Sequence, residues 1–234
     1  MDTKNSKGYE NPTLLWTPAQ LNEQLSDPNL RIVDTRPGER FTMEHIPGAC
    51  HFNVYGINCD DSDDAPLHSF FRMWAFLLGL RGVAFENTIV FYDDMTGNTC
   101  ARGFWFLELF GHKDVHVLDG GYGAWERNRY KTTRDAEVPQ ATAFNFKLEL
   151  DRLATHKDVL AAIEEDNHLL LDTRSKDEWQ GTTARAKRGG AIPGAVWQEW
   201  LEHLTPKGEM KPAEELRAQF EAIGVTPEKE ITAY

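Results

Sequence analysis

The feature that most constrains this chain is that it is written twice. Three signals recur in the same order in its two halves. The first is a helix start, Thr17-Pro-Ala-Gln20 and Thr155-His-Lys-Asp158. Each offers a Thr hydroxyl as N-cap and a polar or acidic residue at the third helical position, where free backbone N–H groups need acceptors. Leu21 and Leu25 in one copy, and Val159, Leu160 and Ile163 in the other, supply the apolar residues at helical spacing. Both helices lead into a short apolar run closing on the same tripeptide, "RIVDTR" and "LLLDTR". Each run reads as a buried parallel strand with a polar end.

The second signal is "HIPGA" at His45–Ala49, matched by "AIPGA" at Ala191–Ala195, a Pro-Gly turn that ends one segment and admits the next. The third is the tightest. "GVAFENTIVFY" (Gly82–Tyr92) and "GVTPEKEITAY" (Gly224–Tyr234) share Gly, Val, Glu, Ile and Tyr at identical offsets. The pairs lie about 140 residues apart, too far for a solenoid unit and right for two copies of one α/β domain. Helices alternating with short buried strands imply, in each copy, an open parallel sheet with helices on both faces. The expected domains are 1–137 and 151–234. The stretch 138–150, "VPQATAFNFKLEL", is read as their linker because it lacks helical periodicity.

After Tyr92 the first copy continues through a short loop holding Gly97 and an amphipathic helix to Leu109. The strand "VHVLDGG" and a helix around Trp125 come next. The second copy stops at Tyr234 with no counterpart of these. By parity the second domain is expected to be incomplete in this chain, short of a loop, a strand and two helices over about 60 residues.

The balance of 37 acidic against 25 basic residues argues against a phosphate-backbone or anionic-membrane partner. The opening residues have no apolar leader, and no window approaches the roughly 18 apolar residues of a membrane span, so the expected location is cytoplasmic. Cys50, Cys59 and Cys100 show no C-x-x-C spacing and read as reduced thiols, with neither a disulfide framework nor a zinc site. "CDDSDDAP" lacks the Gly and terminal Glu of an EF-hand and reads as a solvated loop. His112 and His116 do not share a helix face, and "GGYGAW" lacks the third Gly of a dinucleotide fingerprint. No cofactor or metal is expected.

In parallel sheets chemistry gathers at the C-terminal ends of strands. Two positions qualify in each copy, the "DTR" corner and the residue after the Tyr. A loop there presents backbone N–H groups, and the helix behind it adds a positive end; together they stabilise an anion and lower a thiol pKa. In the first copy that position is Asp93, a poor nucleophile that cannot carry sulfur.

The duplicated D-x-R, IPGA and G-V-x-x-E-x-x-I-x-x-Y segments, with "ARGFWFLELFGH" and "LDGGYGAW" in the first copy, resemble the tandem-domain rhodanese family over nearly the whole chain. The resemblance implies a catalytically silent first domain with Asp93 in the nucleophile's place. It implies a second domain whose catalytic cysteine directly follows Tyr234 and is therefore absent from this chain. That cysteine takes the outer sulfur of thiosulfate or 3-mercaptopyruvate, becomes a persulfide, and passes the sulfur to cyanide or a thiol. The expected partners are a small anionic sulfur donor, such an acceptor, and a complementary C-terminal fragment completing the second domain. Thiosulfate is the expected donor and 3-mercaptopyruvate the alternative. A reading of another class is an inactive rhodanese-like binding or regulatory module, and a phosphatase with a longer loop is more remote.

Asp172 and Arg174 stand at the strand end nearest the expected loop, either supporting it and orienting an anionic donor or forming a corner ion pair like Asp34 and Arg36. Glu178 falls where the family lines its pocket, or on a solvated helix position. Arg185, with Lys187 and Arg188, either steers an anion or belongs to a solvated loop. Trp200 matches an aromatic that lines the family's pocket, or is a core Trp. Ala191 replaces the family's usual His, removing a hydrogen bond but not the turn. Cys100 sits in the first turn of a helix and reads as a structural thiol.

Overall fold

A computed structural model describes residues 6–136 and 138–234. Residues 1–5, where the expected leader-free opening begins, and Glu137, at the expected domain boundary, lie outside the described residues. The chain divides into two compact units. The first runs to Leu153 and includes Pro206–Met210; the second comprises Ala154–Thr205 and Lys211–Tyr234.

The first unit contains β1 (Leu15–Trp16), α1 (Pro18–Gln24), β2 (Leu30–Asp34), α2 (Gly38–Met43), β3 (Ala49–His51) and α3 (Asp64–Gly79). It continues with β4 (Thr88–Tyr92), α4 (Asn98–Leu109), β5 (Val115–Leu118) and α5 (Gly121–Arg127). Its five strands are parallel in the order β1-β5-β4-β2-β3. Because successive strand residues point to opposite faces, the sheet has two cores. Val33, Ile89, Phe91, Val115 and Val117 pack with Phe71, Trp74 and Leu78 of α3 and Phe106 and Leu107 of α4. Ile32, Val90, Tyr92 and Leu118 pack with Leu21 of α1, Phe41 of α2 and Trp125 of α5. Helices therefore cover both faces, as the alternating pattern predicts.

The second unit contains α6 (His156–Ala162), β6 (His168–Asp172), α7 (Lys176–Gln180), β7 (Val196–Trp197), α8 (Ala213–Ala222) and β8 (Glu230–Ala233). Its sheet is parallel in the order β7-β6-β8. These three strands correspond to β3, β2 and β4 of the first unit, in the same arrangement. The duplicated helix starts are both capping boxes: Thr17 with Gln20 and Thr155 with Asp158 exchange side-chain and backbone hydrogen bonds. In both Pro-Gly turns the glycine, Gly48 or Gly194, takes a φ of 79°, a left-handed conformation that disfavours any residue with a Cβ.

The stretch 138–150 differs from the expected linker, since it belongs to the first unit. Phe144, Phe146 and Leu148 alternate along an extended segment and pack onto the α3–α4 core. Thr142 donates its hydroxyl to Val83 O at 2.6 Å, and Glu149 N–H reaches Leu109 O at 2.8 Å. The absence of helical period there marks an extended covering strip with period two rather than a free connector. Helices α3 and α8 add to the elements expected from the repeat. Among the described residues no helix is long and apolar enough to cross a membrane.

Candidate functional site

The candidate site is the corner where β6 and β8 end in the second unit. Asp172, the last residue of β6, is fully buried, and Arg174 folds back onto it. Nε lies 3.0 Å from Oδ1 and Nη2 lies 2.6 Å from Oδ2, while the Arg174 backbone N–H reaches Oδ1 at 3.0 Å. The tight D-T-R turn makes this possible, because two residues suffice to return the guanidinium to the carboxylate. Burial works to raise the Asp172 pKa, but the side-chain and backbone hydrogen bonds from Arg174 outweigh it and hold the carboxyl below its usual range. The second Arg174 contact, Nη2 to Gly190 O at 2.9 Å, ties in the segment entering "AIPGA".

Thr173 binds the other strand. Its backbone N–H and its hydroxyl both donate to Tyr234 O, at 2.9 and 2.8 Å. The Tyr234 phenol oxygen accepts the Ile192 N–H at 3.0 Å, and its ring lies 5.1 Å from the Arg174 guanidinium carbon. Two strand ends and the Pro-Gly turn are thus knitted into one corner.

The first unit contains the same corner. Arg36 grips Asp34, with Nη2 2.7 Å from Oδ2, and reaches Glu44 O at 2.7 Å. Thr35 donates twice to Tyr92 O at 2.9 Å. The Tyr92 phenol donates to Asp34 and accepts the Ile46 N–H at 3.3 Å. The difference is burial: the Arg36 side chain is 2% exposed and that of Arg174 is 33% exposed. The ion pair is therefore an architectural element of both copies. In the first, the Tyr122 ring, 3.9 Å from the guanidinium carbon, and Asp94, both from the segment after Tyr92, cover Arg36.

The loop after Tyr92 shows how such a corner presents its next residue. Asp93 Oδ1 accepts the Asp94 N–H at 2.7 Å, and Oδ2 accepts the Thr99 hydroxyl, which lies 2.9 Å from that of Thr35. Asp93 O accepts the Tyr122 N–H at 2.7 Å, so the loop is braced from behind by α5. An anionic side chain accordingly sits between a strand end and the N-terminus of α4, facing donors. Cys100, three residues into α4, points elsewhere. It is fully buried, donates to Gly97 O at 3.0 Å, and burial pushes its thiol up to about 12.

Glu178 occupies the third position of α7. It accepts the Ser175 hydroxyl at 2.7 Å in a third capping box and the Arg185 Nε at 2.8 Å. The Ser175 hydrogen bond, foremost, holds its carboxyl below the usual range against a desolvation penalty, with Arg185 helping. The Arg185 side chain is 69% exposed, and Lys187 and Arg188 are exposed too. Trp200 opens a 3-10 turn (Trp200–His203), is half-buried, and anchors to the corner through its N–H on Thr173 O at 3.0 Å. Asp172, Arg174 and Trp200 are thus brought together around Thr173, and Glu178 with Arg185 forms a neighbouring pair. Sequence reasoning did not single out Thr173, Ser175 or Trp197, whose indole donates to Arg174 O at 3.0 Å. For Thr173 the available signal was its recurrence as Thr35.

Ala191 is exposed and its turn is intact, whereas His45 at the matching place bonds Phe41 O at 2.8 Å through Nδ1 and stacks on the Phe41 ring. Among the described residues no group of three or more His, Cys, Asp or Glu is placed to hold a metal ion.

The rhodanese-like domain family matches residues 17–128. A thiosulfate sulfurtransferase of Azotobacter vinelandii is 29% identical, over 94% of this chain and 82% of its own length. The sulfur carrier protein TtuD of Thermus thermophilus is 32% identical, over 97% and 84%. Among solved structures, SseA of Escherichia coli, described with the rhodanese fold and mechanism of 3-mercaptopyruvate sulfotransferases, superposes with a TM-score of 0.80. It is 26% identical, over 94% of this chain and 87% of the other.

Proposed function

The chain belongs to the rhodanese family of sulfurtransferases, and from that premise we propose that the protein moves sulfane sulfur from thiosulfate to cyanide or a thiol through a cysteine persulfide. The cysteine is assigned to the position directly after Tyr234. The observation that carries this reading is the duplicated hold on the strand end: Thr173 binds Tyr234 O as Thr35 binds Tyr92 O. In the first unit the next residue is Asp93, whose carboxylate faces the Asp94 N–H and the Thr99 hydroxyl at the start of α4. A thiolate so placed is stabilised by the same donors.

On this reading the two units are rhodanese-like domains, the first catalytically silent. A C-terminal segment carrying the cysteine pairs with β8 as β5 pairs with β4 in the first unit. The thiolate attacks the outer sulfur of thiosulfate; the S–S bond breaks and sulfite leaves with the bonding pair. Cyanide then attacks the outer persulfide sulfur, giving thiocyanate and restoring the thiolate, so no net proton or electron is consumed. Asp172 and Arg174 hold the base of the loop, Arg185 attracts the anionic donor, and Trp200 and Glu178 line its approach. No cofactor enters, and the cytoplasm is the proposed location.

The test is intact-mass and peptide mapping of the full-length protein after incubation with thiosulfate. One added sulfur on a cysteine next to Tyr234, discharged by cyanide as thiocyanate, supports the proposal. Sulfur found on Cys100 instead, or no sulfur gained and no thiocyanate formed, rejects it. The likeness to SseA keeps 3-mercaptopyruvate as the alternative donor, resolved by running both donors side by side. The intact Asp34–Arg36 corner beside Asp93 favours a second reading, an inactive binding module, because the same architecture stands there with an aspartate at the start of the loop.

A further inference from the structure

In the first unit, away from the β4 loop, edge strand β3 borders a cleft of about 380 Å3 lined by Phe41, Cys50, His51, Leu80, Arg81 and Pro139. Arg81 is half-buried there. Its Nε donates to His51 O at 2.8 Å and its Nη1 to Leu77 O at 2.7 Å, and its guanidinium carbon lies 4.0 Å from the centre of the Phe52 ring. A guanidinium carries five N–H donors. Nη2 has no protein acceptor among the described residues, and no carboxylate among them lies within ion-pair distance of Arg81. Among the described residues the Arg31 side chain is likewise bound to carbonyls: Gly82 O at 2.9 Å, and Pro28 O and Leu30 O at 2.8 Å each.

The chain has 37 acidic residues, yet among the described residues none pairs with either arginine. A half-buried charge costs stability unless something of opposite sign completes it. Cys50 does not supply that sign. Burial pushes its thiol up to about 11 against the pull of Arg81, so at neutral pH it is an uncharged, soft wall. Among the other walls Phe41, Leu80 and Pro139 are apolar, and the His51 ring is tied back through Nε2 to Arg36 O at 2.8 Å.

We propose that this cleft binds a small carboxylate with a flat apolar body, the carboxylate pairing with the open edge of Arg81 and the body lying between Phe41 and Leu80. The planar fork of Arg81 suits a carboxylate, and the volume is that of a small-molecule site. The assignment is independent of sulfur transfer.

The test is calorimetric titration of the full-length protein with benzoate, and with benzamide as a neutral body of the same shape. Saturable benzoate binding about tenfold tighter than benzamide is expected. Arg81→Met removes the cation but also two carbonyl contacts, so Leu80→Glu, at a 45% exposed rim position, provides the variant that keeps Arg81 and sets a competing carboxylate beside it. Both are expected to weaken benzoate binding by about tenfold or more. Glu137 lies between two residues near the cleft in sequence, so Glu137→Gln is included and is expected to leave the affinity unchanged. Equal binding of benzoate and benzamide, no saturation, or undiminished affinity in Leu80→Glu would overturn the proposal. Binding that appears only in Glu137→Gln would also overturn it, by assigning the counter-charge to the chain itself.

Discussion

The Tyr92 phenol donates its hydrogen to the buried Asp34 carboxylate while its oxygen accepts the Ile46 N–H at 3.3 Å. One hydroxyl thereby joins the end of β4, the end of β2 and the Pro-Gly turn. Tyr92→Phe keeps the ring and removes both bonds in a site with no solvent access. A loss of about 1–3 kcal/mol is expected from urea denaturation. An unchanged midpoint for Tyr92→Phe would contradict the joining role.

Asp172 and Glu178 are two of the carboxyls that shape the acid limb of stability. Burial pushes Asp172 up, but the Arg174 hydrogen bonds prevail and depress its folded pKa; Glu178 is depressed chiefly by the Ser175 hydroxyl. A carboxyl depressed on folding contributes stability above its unfolded pKa, near pH 4. That contribution is lost as the pH falls through the lower folded value. Denaturation midpoints measured from about pH 6 down to pH 2 are expected to fall steeply below about pH 4. Asp172→Asn is expected to start lower and fall less; an identical slope would remove Asp172 from the acid limb. Tyr92 has the opposite sign. Burial raises its pKa well above 10.0, so its contribution is intact below that value and is lost as the pH rises toward the folded pKa.

Gly103 of α4 has no room for a side chain. A Cβ there would lie 2.5 Å from the Phe91 ring, which is fully buried in the central strand β4. Gly103→Ala gains about 1 kcal/mol of helix propensity but forces Phe91 and α4 apart, and a net loss of about 1–3 kcal/mol is expected. A gain on thermal denaturation would show that the ring can yield.

Thiol reactivity separates the three cysteines. Cys100 is fully buried with its pKa pushed up to about 12, and Cys50 is pushed up to about 11; burial is the main cause in both. Native alkylation with iodoacetamide at about pH 8, followed by peptide mass spectrometry, is expected to label Cys59 first and spare Cys100. Cys100→Ser in the full-length protein is expected to leave sulfur transfer unchanged. Loss of transfer with the fold intact would bring Cys100 into the chemistry.

Arg185 tests the proposed approach path. Its side chain is 69% exposed, and Glu178 keeps the Ser175 hydroxyl without it, so Arg185→Ala is expected to change stability by about 1 kcal/mol or less. If it attracts the donor, KM for thiosulfate rises by roughly two- to fivefold with kcat unchanged, and the effect shrinks at high salt. A fall in kcat with KM unchanged would point to a different role.

Several features of this fold were legible because they are local. The Thr17 and Thr155 caps need only a partner three residues away, and both boxes form. The strand ends at Asp34 and Asp172 and the placement of Cys100 in the first turn of α4 arise from short-range pattern. The stretch 138–150 was not legible in the same way. Its alternation of Phe144, Phe146 and Leu148 acquires meaning only against the α3–α4 surface that it covers.

By itself, the sequence determined the repeated segments, the alternating elements with their caps and turns, and the presence of Asp93 directly after the Tyr92 strand end. These depend on residues close in the chain, or on identity between copies. Tertiary structure decided that Thr173 holds a carbonyl 61 residues away and that Arg36 is sealed beneath the Tyr122 ring. It also decided that Arg81 lies at a cleft where no carboxylate of the described residues pairs with it. Each of these is set by which surfaces are buried against which, and burial sets the energy of every charge and hydrogen bond in the two corners.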